Sequence, residues 1–488
     1  MQKKDIFKTL VALVPVVTLV VLLALDISIF GSDAILGASQ VSLLVATGIC
    51  VWLSMWLYKT PWGDFEEAIR SNVGDVTSAI VILLLIGALS GAWTVSGIVP
   101  TFIYYGLKII SPKIFLLSAC VICALVSVMV GSSWTTIATI GVALMGIGKA
   151  EGFSDGVIAG AIISGAYFGD KISPLSDTTV MASSVNRVPL FTHIRYLMVT
   201  TVPSIVIALV IFTVLGLSHD GVPAAQIEEY STALSRTFHL TPWLLLVPVV
   251  TGVLIARRQP ALVVLAISTA LASVFALIFQ PGLVEGIGAP LTEGARARIL
   301  FAGTVESLYN SVTVSTGNAE VDALVSTRGM LGMLNTIYLI ICAMCFGACM
   351  RASGMLRQIS LLILPLARRR FGLVSSTVAS GVVLNGLVSD QYLSIILTSD
   401  IFRETYDKEG YERRLLSRSV EDSSTVTSVL FPWSSCGMTQ ATILSVPTAV
   451  YFPYCFFNWI SPLMSITVAA IGYKIFHKTP PPPQAPES

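Results

Sequence analysis

Residues 165–179 read GAYFGDKISPLSDTT, a polar and proline-broken segment in a strongly apolar chain. Pro174 lacks a backbone donor and breaks a helix, so it predicts a discontinuous helix with free carbonyl groups. A carboxylate at membrane depth is costly unless a cation or a proton neutralises it, which applies to Asp170 and Asp177. Carboxylates, hydroxyls and carbonyls are the oxygen ligands that small hard cations take. The segment therefore predicts a site at which a cation and protons compete.

The composition is that of a membrane protein. Of the 488 residues, 54% are hydrophobic and 12% are charged, whereas about 25% are charged in ordinary soluble domains. This composition excludes a soluble enzyme. The 29 basic and 28 acidic residues nearly cancel, so we expect no nucleic-acid partner. The eight cysteines lie in apolar runs, which favours reduced core thiols over a zinc site or a disulfide framework, and we expect no cofactor.

The apolar runs predict about ten membrane-spanning helices, since one crossing needs about 20 apolar residues. The runs that fit one crossing each are 10–30, 41–58, 77–99, 196–217, 242–256, 260–279 and 334–353. Two further regions, 114–148 and 371–399, have polar centres. They predict re-entrant hairpins, because polar backbone at membrane depth must be buried in protein or line a cavity. The predicted fold is an all-α polytopic membrane protein with two such hairpins.

An internal repeat relates the two hairpin regions. A shift of 258 residues aligns 151–153 (EGF) with 409–411 (EGY) and Pro174 with Pro432. Clusters of basic residues mark cytoplasmic segments, and they fit a first hairpin that enters from outside and a second that enters from the cytoplasm. Two inverted repeats of this kind are typical of secondary transporters, which bind their substrates near the bilayer midplane at broken helices.

The repeat divides the chain into five parts. These are N-terminal scaffold spans (1–76), the first repeat (77–217), connecting spans with an outer segment (218–333), the second repeat (334–473) and a disordered, proline-rich tail (474–488). The least regular stretch, 281–333, is expected to be external or partly re-entrant. Both termini are expected on the cytoplasmic side.

The second proline break, 431–439, carries hydroxyls and no carboxylate. The acids of this half are Asp390 at the hairpin tip and the neighbours Glu421 and Asp422. Two interpretations of these neighbours are open, since they either join the site or form a solvated ion network with nearby arginines. Three interpretations of Lys171 are likewise open. It is a structural counter-ion to an acid, a positive charge that takes the place of the cation when the site is empty, or a side chain that extends to a membrane interface.

The block 169–179, GDKISPLSDTT, resembles the signature of the NhaC-type sodium/proton antiporter family, as do 316–322 and 328–330. The resemblance covers essentially the whole chain. It implies the ion-transporter-superfamily fold, sodium and protons as substrates, and an elevator-like movement of a transport domain against a dimeric scaffold. The implied cation and proton ligands are Asp170, Ser173, Asp177, Thr178, Ser132, Ser133, Asp390, Ser434 and Ser435, with sodium at Asp170 and Asp177. Lys171, Glu421 and Asp422 are the candidate charge partners.

The leading hypothesis is sodium/proton antiport by a homodimer embedded in the lipid of a bacterial inner membrane. The first alternative is sodium- and proton-coupled exchange of an organic acid such as malate or lactate, whose carboxylates would need Lys171 or helix N-termini.

An intramembrane aspartyl protease needs two aspartates from separate helices, whereas Asp177 follows Asp170 in one broken segment. A channel is disfavoured because hairpin tips that meet broken helices make an occluded site. No Walker-type loop is present, so we expect a secondary transporter and not an enzyme.

Overall fold

The computed structural model describes residues 3–30, 36–109, 111–257, 259–363 and 369–477. Within these ranges the regular structure is helical, and the β-pairing is limited to two isolated bridges, Val312 with Thr327 and Tyr411 with His477. Eight of the described helices are long and apolar enough to cross a membrane, and up to ten spans result if each of two bent helix pairs counts as one. The predicted all-α polytopic membrane fold is confirmed.

The helices are numbered in chain order. The first half contains α1 (Lys3–Phe30), α2 (Ala38–Leu53), α3 (Trp62–Asp75), α4 (Thr77–Val95), α5 (Ile98–Ile109), α6 (Pro112–Val130), α7 (Ser133–Thr136), α8 (Val142–Ala150), α9 (Asp155–Ile172), α10 (Asp177–Val185), α11 (Leu190–Leu217) and α12 (Ala224–Thr237). The second half contains α13 (Leu246–Ala256), α14 (Ala261–Phe279), α15 (Pro281–Gly288), α16 (Arg296–Tyr309), α17 (Ala319–Leu324), α18 (Leu334–Ala352), α19 (Met355–Ile363), α20 (Arg369–Val388), α21 (Gln391–Lys408), α22 (Arg413–Val420), α23 (Ser435–Leu444), α24 (Thr448–Tyr451) and α25 (Phe456–Ile471).

The seven runs that predict one crossing each correspond to α1, α2, α4, α11, α13, α14 and α18. Proline sets several of their ends. Pro260 precedes α14 and Pro281 opens α15 directly after it, as expected for a residue that is tolerated in the first turn of a helix and not in its interior.

Each predicted hairpin region is divided by a two-residue break, and the arm before each break, α6 or α20, is among the eight helices that are long and apolar enough to cross a membrane. The first break, Gly131–Ser132, separates α6 from α7, and the second, Ser389–Asp390, separates α20 from α21. Gly131 has φ +69°, and a β-carbon there would lie 2.5 Å from Leu175 Cβ. The break is therefore glycine because the proline-broken segment after α9 approaches it closely.

The structural features of the two halves recur with the same offset of 258 residues that the sequence indicates. The positive-φ residue Gly131 corresponds to Ser389 (φ +61°), and Gly152 (φ +82°) corresponds to Gly410 (φ +75°). Helix α10 begins at Asp177 and α23 begins at its counterpart, Ser435. The opposite orientation of the two halves stays a prediction.

Helix α9, which ends in the candidate site, packs closely along α6. Side chains at Gly165 and Gly169 would overlap the carbonyl oxygens of Cys120 and Ala124, with β-carbon distances of 2.1 and 2.3 Å. Small residues at a spacing of four allow two backbones in a membrane to approach in this way. The contact fixes the position of Asp170, one residue beyond Gly169.

The region 281–333 folds into short helices that pack beside α4. A β-carbon at Gly91 of α4 would lie 1.9 Å from the carbonyl oxygen of Ser307 on α16, so the two backbones touch. Helices α15, α16 and α17 have 8, 14 and 6 residues, fewer than the roughly 20 that one crossing needs. Of the predicted tail, residues 474–477 are placed, and 478–488 lie outside the described residues.

The predicted opposite entry of the two hairpins can be tested by single-cysteine labelling. Ser154 and Glu409 are exposed in the loops that follow the two hairpins, and they avoid the positive φ angles of Gly152 and Gly410. We expect a membrane-impermeant thiol reagent to label Ser154→Cys from the outside and Glu409→Cys only from the cytoplasm. The native cysteines are a low background, because seven are buried and Cys345 is half-buried. Labelling of both positions from one side would rule out the inverted arrangement.

Candidate functional site

Four helices begin around one cavity of about 800 Å³. Its lining includes residues at or beside the starts of α7, α10, α21 and α23, which belong to the two hairpin breaks and the two proline breaks. The structure therefore brings together segments up to about 300 residues apart. The predicted site residues that line the cavity are Ser132, Asp170, Asp177, Thr178, Asp390 and Ser435.

Asp170 lies in the last turn of α9 and is 7% exposed. Its Oδ2 accepts hydrogen bonds from the backbone N–H of Ser133 at 3.0 Å and from the Ser133 hydroxyl at 2.7 Å. These two donors come from the first turn of α7, so the hairpin and the broken helix meet at this carboxylate. Ser133 thus contacts the cavity through Asp170, whose hydrogen bonds offset part of the cost of burying the carboxylate.

Asp177 and Thr178 begin α10 on the other side of the proline break. Asp177 is exposed to the cavity, and its Oδ2 accepts a hydrogen bond from the Tyr392 hydroxyl at 3.1 Å. The buried Thr178 hydroxyl donates to Glu421 Oε1 at 3.4 Å. Thr178 therefore connects the cavity with the buried acids of the second half.

Several predicted ligands also cap a helix. Ser132 accepts the N–H of Thr135 at 3.3 Å, Asp390 that of Leu393 at 2.9 Å, and Ser434 that of Gly437 at 3.0 Å. Ser173 donates to the carbonyl of Val128 at 2.8 Å. Ser173 and Ser434 are not among the cavity-lining residues. The geometry gives these two serines a structural role in holding the breaks, whereas Ser132 and Asp390 cap helices and also line the cavity.

Beside the cavity lies a buried ion cluster formed by Lys171, Arg418, Glu421 and Asp422. All four side chains are 0% exposed. Lys171 Nζ contacts Asp422 Oδ1 and donates to the Ser461 hydroxyl at 2.7 Å, and Arg418 Nε lies 3.8 Å from Asp422 Oδ2. Both cations lie against Asp422, and Glu421 forms no ion pair within 4.0 Å with a described lysine or arginine. The formal charges of the four side chains sum to zero when all of them are ionised.

The interpretation of Glu421 and Asp422 as a solvated network with nearby arginines is wrong about solvent, because both acids are fully buried, although Asp422 does lie against Arg418. The neighbouring arginines form their own pairs nearer the surface, Arg413 with Asp407 at 2.8 Å and Arg414 with Glu412. Glu421 and Asp422 point inward because α22 continues into a π-helical turn, Glu421–Thr425, that is buried at every position. Lys171 is a counter-ion within the fold and does not reach an interface.

Three members of this region are not predicted by the sequence: Arg418, Thr200 and Ser461. The hydroxyls of Thr200 and Ser461 donate to Asp422 Oδ1 at 2.9 and 3.3 Å. The available signal was the spacing of Arg418 and Asp422, since residues four apart share one face of a helix.

Within the described ranges, no group of three or more His, Cys, Asp or Glu side chains has the arrangement of a resident metal site. The lining residues of the cavity include no lysine or arginine. The site is thus an acidic, oxygen-rich cavity next to a neutral buried ion cluster.

Comparison with known proteins identifies the family of the chain. A model of the Na+/H+ antiporter family matches residues 6–186 and 165–473. The chain belongs to this family. It is 34% identical to the Na+/H+ antiporter NhaC of Bacillus subtilis over 88% of this chain and 91% of the relative. It is 36% identical to NhaC of Alkalihalophilus pseudofirmus over 84% and 86% of the two chains. It is also 33% identical to the malate-2H+/Na+-lactate antiporter of Bacillus subtilis over 90% of each chain. The resemblance in the sequence is confirmed.

The buried ion cluster predicts an order of stabilities. Asp422→Asn leaves both Lys171 and Arg418 without their acid, so we expect a loss of about 3–5 kcal/mol, as for other broken buried pairs. Lys171→Met should cost less, because Arg418 still faces Asp422. Thermal unfolding of the purified protein in detergent measures both.

The matched control for this series is Asp407→Asn, which breaks the more exposed pair with Arg413 and should cost at most about 1 kcal/mol. Equal effects of Asp422→Asn and Asp407→Asn would contradict the assignment of Asp422 as the centre of the buried ion cluster.

Proposed function

We propose that this protein is a secondary active transporter of a bacterial inner membrane that exchanges sodium ions for protons at a shared carboxylate site. The observation that carries the proposal is the distribution of charge around Asp170. Lys171 and Arg418 both pair with Asp422, whereas Asp170, Asp177 and Glu421 have no lysine or arginine within 4.0 Å among the described residues. Of these three acids, Asp170 is the one that is buried and also lines the cavity. A buried carboxylate without a counter-ion requires a bound cation or a proton.

The ligands available to sodium are hard oxygen atoms. The carboxylate of Asp170 would supply the charge, and the hydroxyl of Thr178 and the carboxylate of Asp177 would complete the site across the proline break. Ser133 holds Asp170 in place through its two hydrogen bonds. The hydroxyl of Thr178 already donates to Glu421, which leaves its oxygen lone pairs available to a cation.

Competition for one acid couples the two fluxes. Sodium binding requires an ionised Asp170, so a proton must leave first, and protonation on the other side of the membrane releases the sodium. An ionised Asp170 that held neither ion would bear the part of the burial cost that its hydrogen bonds from Ser133 do not offset. The transporter with Asp170 ionised and no bound ion is therefore the least stable state. Movement of the empty site across the membrane is suppressed for this reason.

Alternating access is proposed to be elevator-like, with the repeats moving against a dimeric scaffold. The two repeats supply the hairpin breaks, the broken helices and parts of α4 and α18 to the cavity wall, and the part from outside the repeats comes from α3, α14 and the turn between α13 and α14. Exposed Gln259 and Pro260 lie in that turn beside the exposed Arg257. Since basic loops face the cytoplasm, the cavity opens inward in this conformation.

Sodium- and proton-coupled exchange of an organic acid is the second candidate. The relative from Bacillus subtilis whose name includes malate and lactate supports it, and a cavity of about 800 Å³ has room for a small acid. The lining offers an organic anion helix N-termini and no lysine or arginine, while it holds three aspartates. This charge balance favours the sodium/proton exchanger.

Asp170→Asn should reduce sodium-driven proton movement in proteoliposomes to the background of empty vesicles. The reason is that an amide does not take up a proton in the working pH range and does not neutralise the charge of a sodium ion. Asp177→Asn should keep part of the activity, since Asp177 is exposed and Asp170 is buried. The surface variant Asp407→Asn is the control for reconstitution. Near-normal exchange by a folded Asp170→Asn protein would remove Asp170 from the site.

The shared site also predicts how sodium binding depends on pH. Below the titration range of the acid, each pH unit should lower apparent sodium affinity by up to about tenfold per displaced proton. Above that range the affinity should become constant. Calorimetric sodium titrations over a pH series measure this dependence. A pH-independent affinity with proton transport still coupled would mean that the two ions use separate sites.

A further inference from the structure

Asn72 of α3 is a buried amide at the cavity that the proposed function does not use. Its side chain is 1% exposed and lines the cavity. Nδ2 donates to the backbone carbonyl of Met344 at 3.3 Å, and Oδ1 has no hydrogen-bond partner. A carbonyl can only accept, so the nitrogen must be the atom that faces Met344 and the oxygen the one left over.

An unpartnered amide oxygen in a buried position is unfavourable, and such atoms in native proteins call for an explanation. The oxygen is only an acceptor, so the partner it fits is a cation or a hydrogen-bond donor. The same cavity holds Asp170, Asp177 and Asp390, which select for a cation. Neutral amide oxygens are ordinary ligands of hard cations.

We propose that Asn72 is a ligand of the transported cation, supplied from outside both repeats. The inference rests on the proposed sodium/proton exchange. The cavity of about 800 Å³ has space for about 25 water molecules at their liquid volume, so a cation on its way to Asp170 crosses a wide space. Asn72 lies on the α3 part of the wall and gives the ion an oxygen there. It therefore influences the sodium concentration at which transport is half-maximal.

Two substitutions separate this role from a structural one. Both Asn72→Leu and Asn72→Asp remove the donor to Met344, but only Asn72→Asp keeps an oxygen in place. If Asn72 is a ligand, Asn72→Asp transports with a sodium KM at or below that of the wild type, and Asn72→Leu has a raised KM. If Asn72 only supports Met344, Asn72→Asp is the worse variant, because its carboxylate faces a carbonyl oxygen.

The measurement is the initial rate of sodium-driven proton movement in proteoliposomes against sodium concentration. We expect Asn72→Leu to raise KM about three- to tenfold, the loss for one neutral ligand. Gln40→Leu is the matched control, since Gln40 is also a buried amide that donates to a backbone carbonyl, that of Asn335 at 3.4 Å, and does not line the cavity. Its KM should equal that of the wild type. Asn72→Ala replaces Asn72→Leu if the latter does not purify as a monodisperse protein.

The outcomes are distinct. A KM for Asn72→Leu equal to that of Gln40→Leu, or a higher KM for Asn72→Asp than for Asn72→Leu, overturns the role of Asn72 and leaves sodium/proton exchange intact. Absence of sodium-driven proton movement in the wild type overturns the proposed function together with this inference.

Discussion

A helix interrupted inside a membrane must find partners for its backbone donors without water, and the whole site depends on meeting this requirement. Four side chains do so by capping the helices that start at the cavity: Ser132, Ser176, Asp390 and Ser434. These caps stabilise the turns at the breaks. The N-termini of the four helices can therefore lie around one cavity, and Asp170, in the last turn of α9, lies there as well.

The charges follow a second constraint, which separates a neutral interior from an unbalanced cavity. Lys171 and Arg418 both lie against Asp422, and with Glu421 the formal charges of this buried ion cluster sum to zero. Asp170 is one residue from Lys171, but Lys171 is committed to Asp422 and Ser461. A lysine that neutralised Asp170 directly would compete with sodium. Because Lys171 is engaged elsewhere, Asp170 has no lysine partner in this fold, as the proposed exchange requires.

The sequence predicts the spans, the two breaks and the offset of 258 residues because these depend on local signals, namely apolar run length, proline, glycine and helix caps. It does not predict that Arg418 is buried while Arg413 and Arg414 form surface pairs. That difference depends on which face of α22 packs against α11 and α25. The local sequence of a charged helix does not indicate which face that is. Asn72 was missed for a similar reason, since a polar residue in an amphipathic helix normally faces solvent.

The repeat is symmetric in backbone and unequal in chemistry. At the offset of 258 residues, Asp170 corresponds to Ser428 and Ser133 to Gln391. The contact between Ser133 and Asp170 has a neutral counterpart, in which the Ser428 hydroxyl donates to Gln391 Oε1 at 3.4 Å. Asp177 likewise corresponds to Ser435. The two broken helices therefore have corresponding backbone positions, but only the first has carboxylates at its break. The carboxylate that the second half brings to the cavity is instead Asp390, at the hairpin break, so the two halves place their acids at positions that the repeat does not relate.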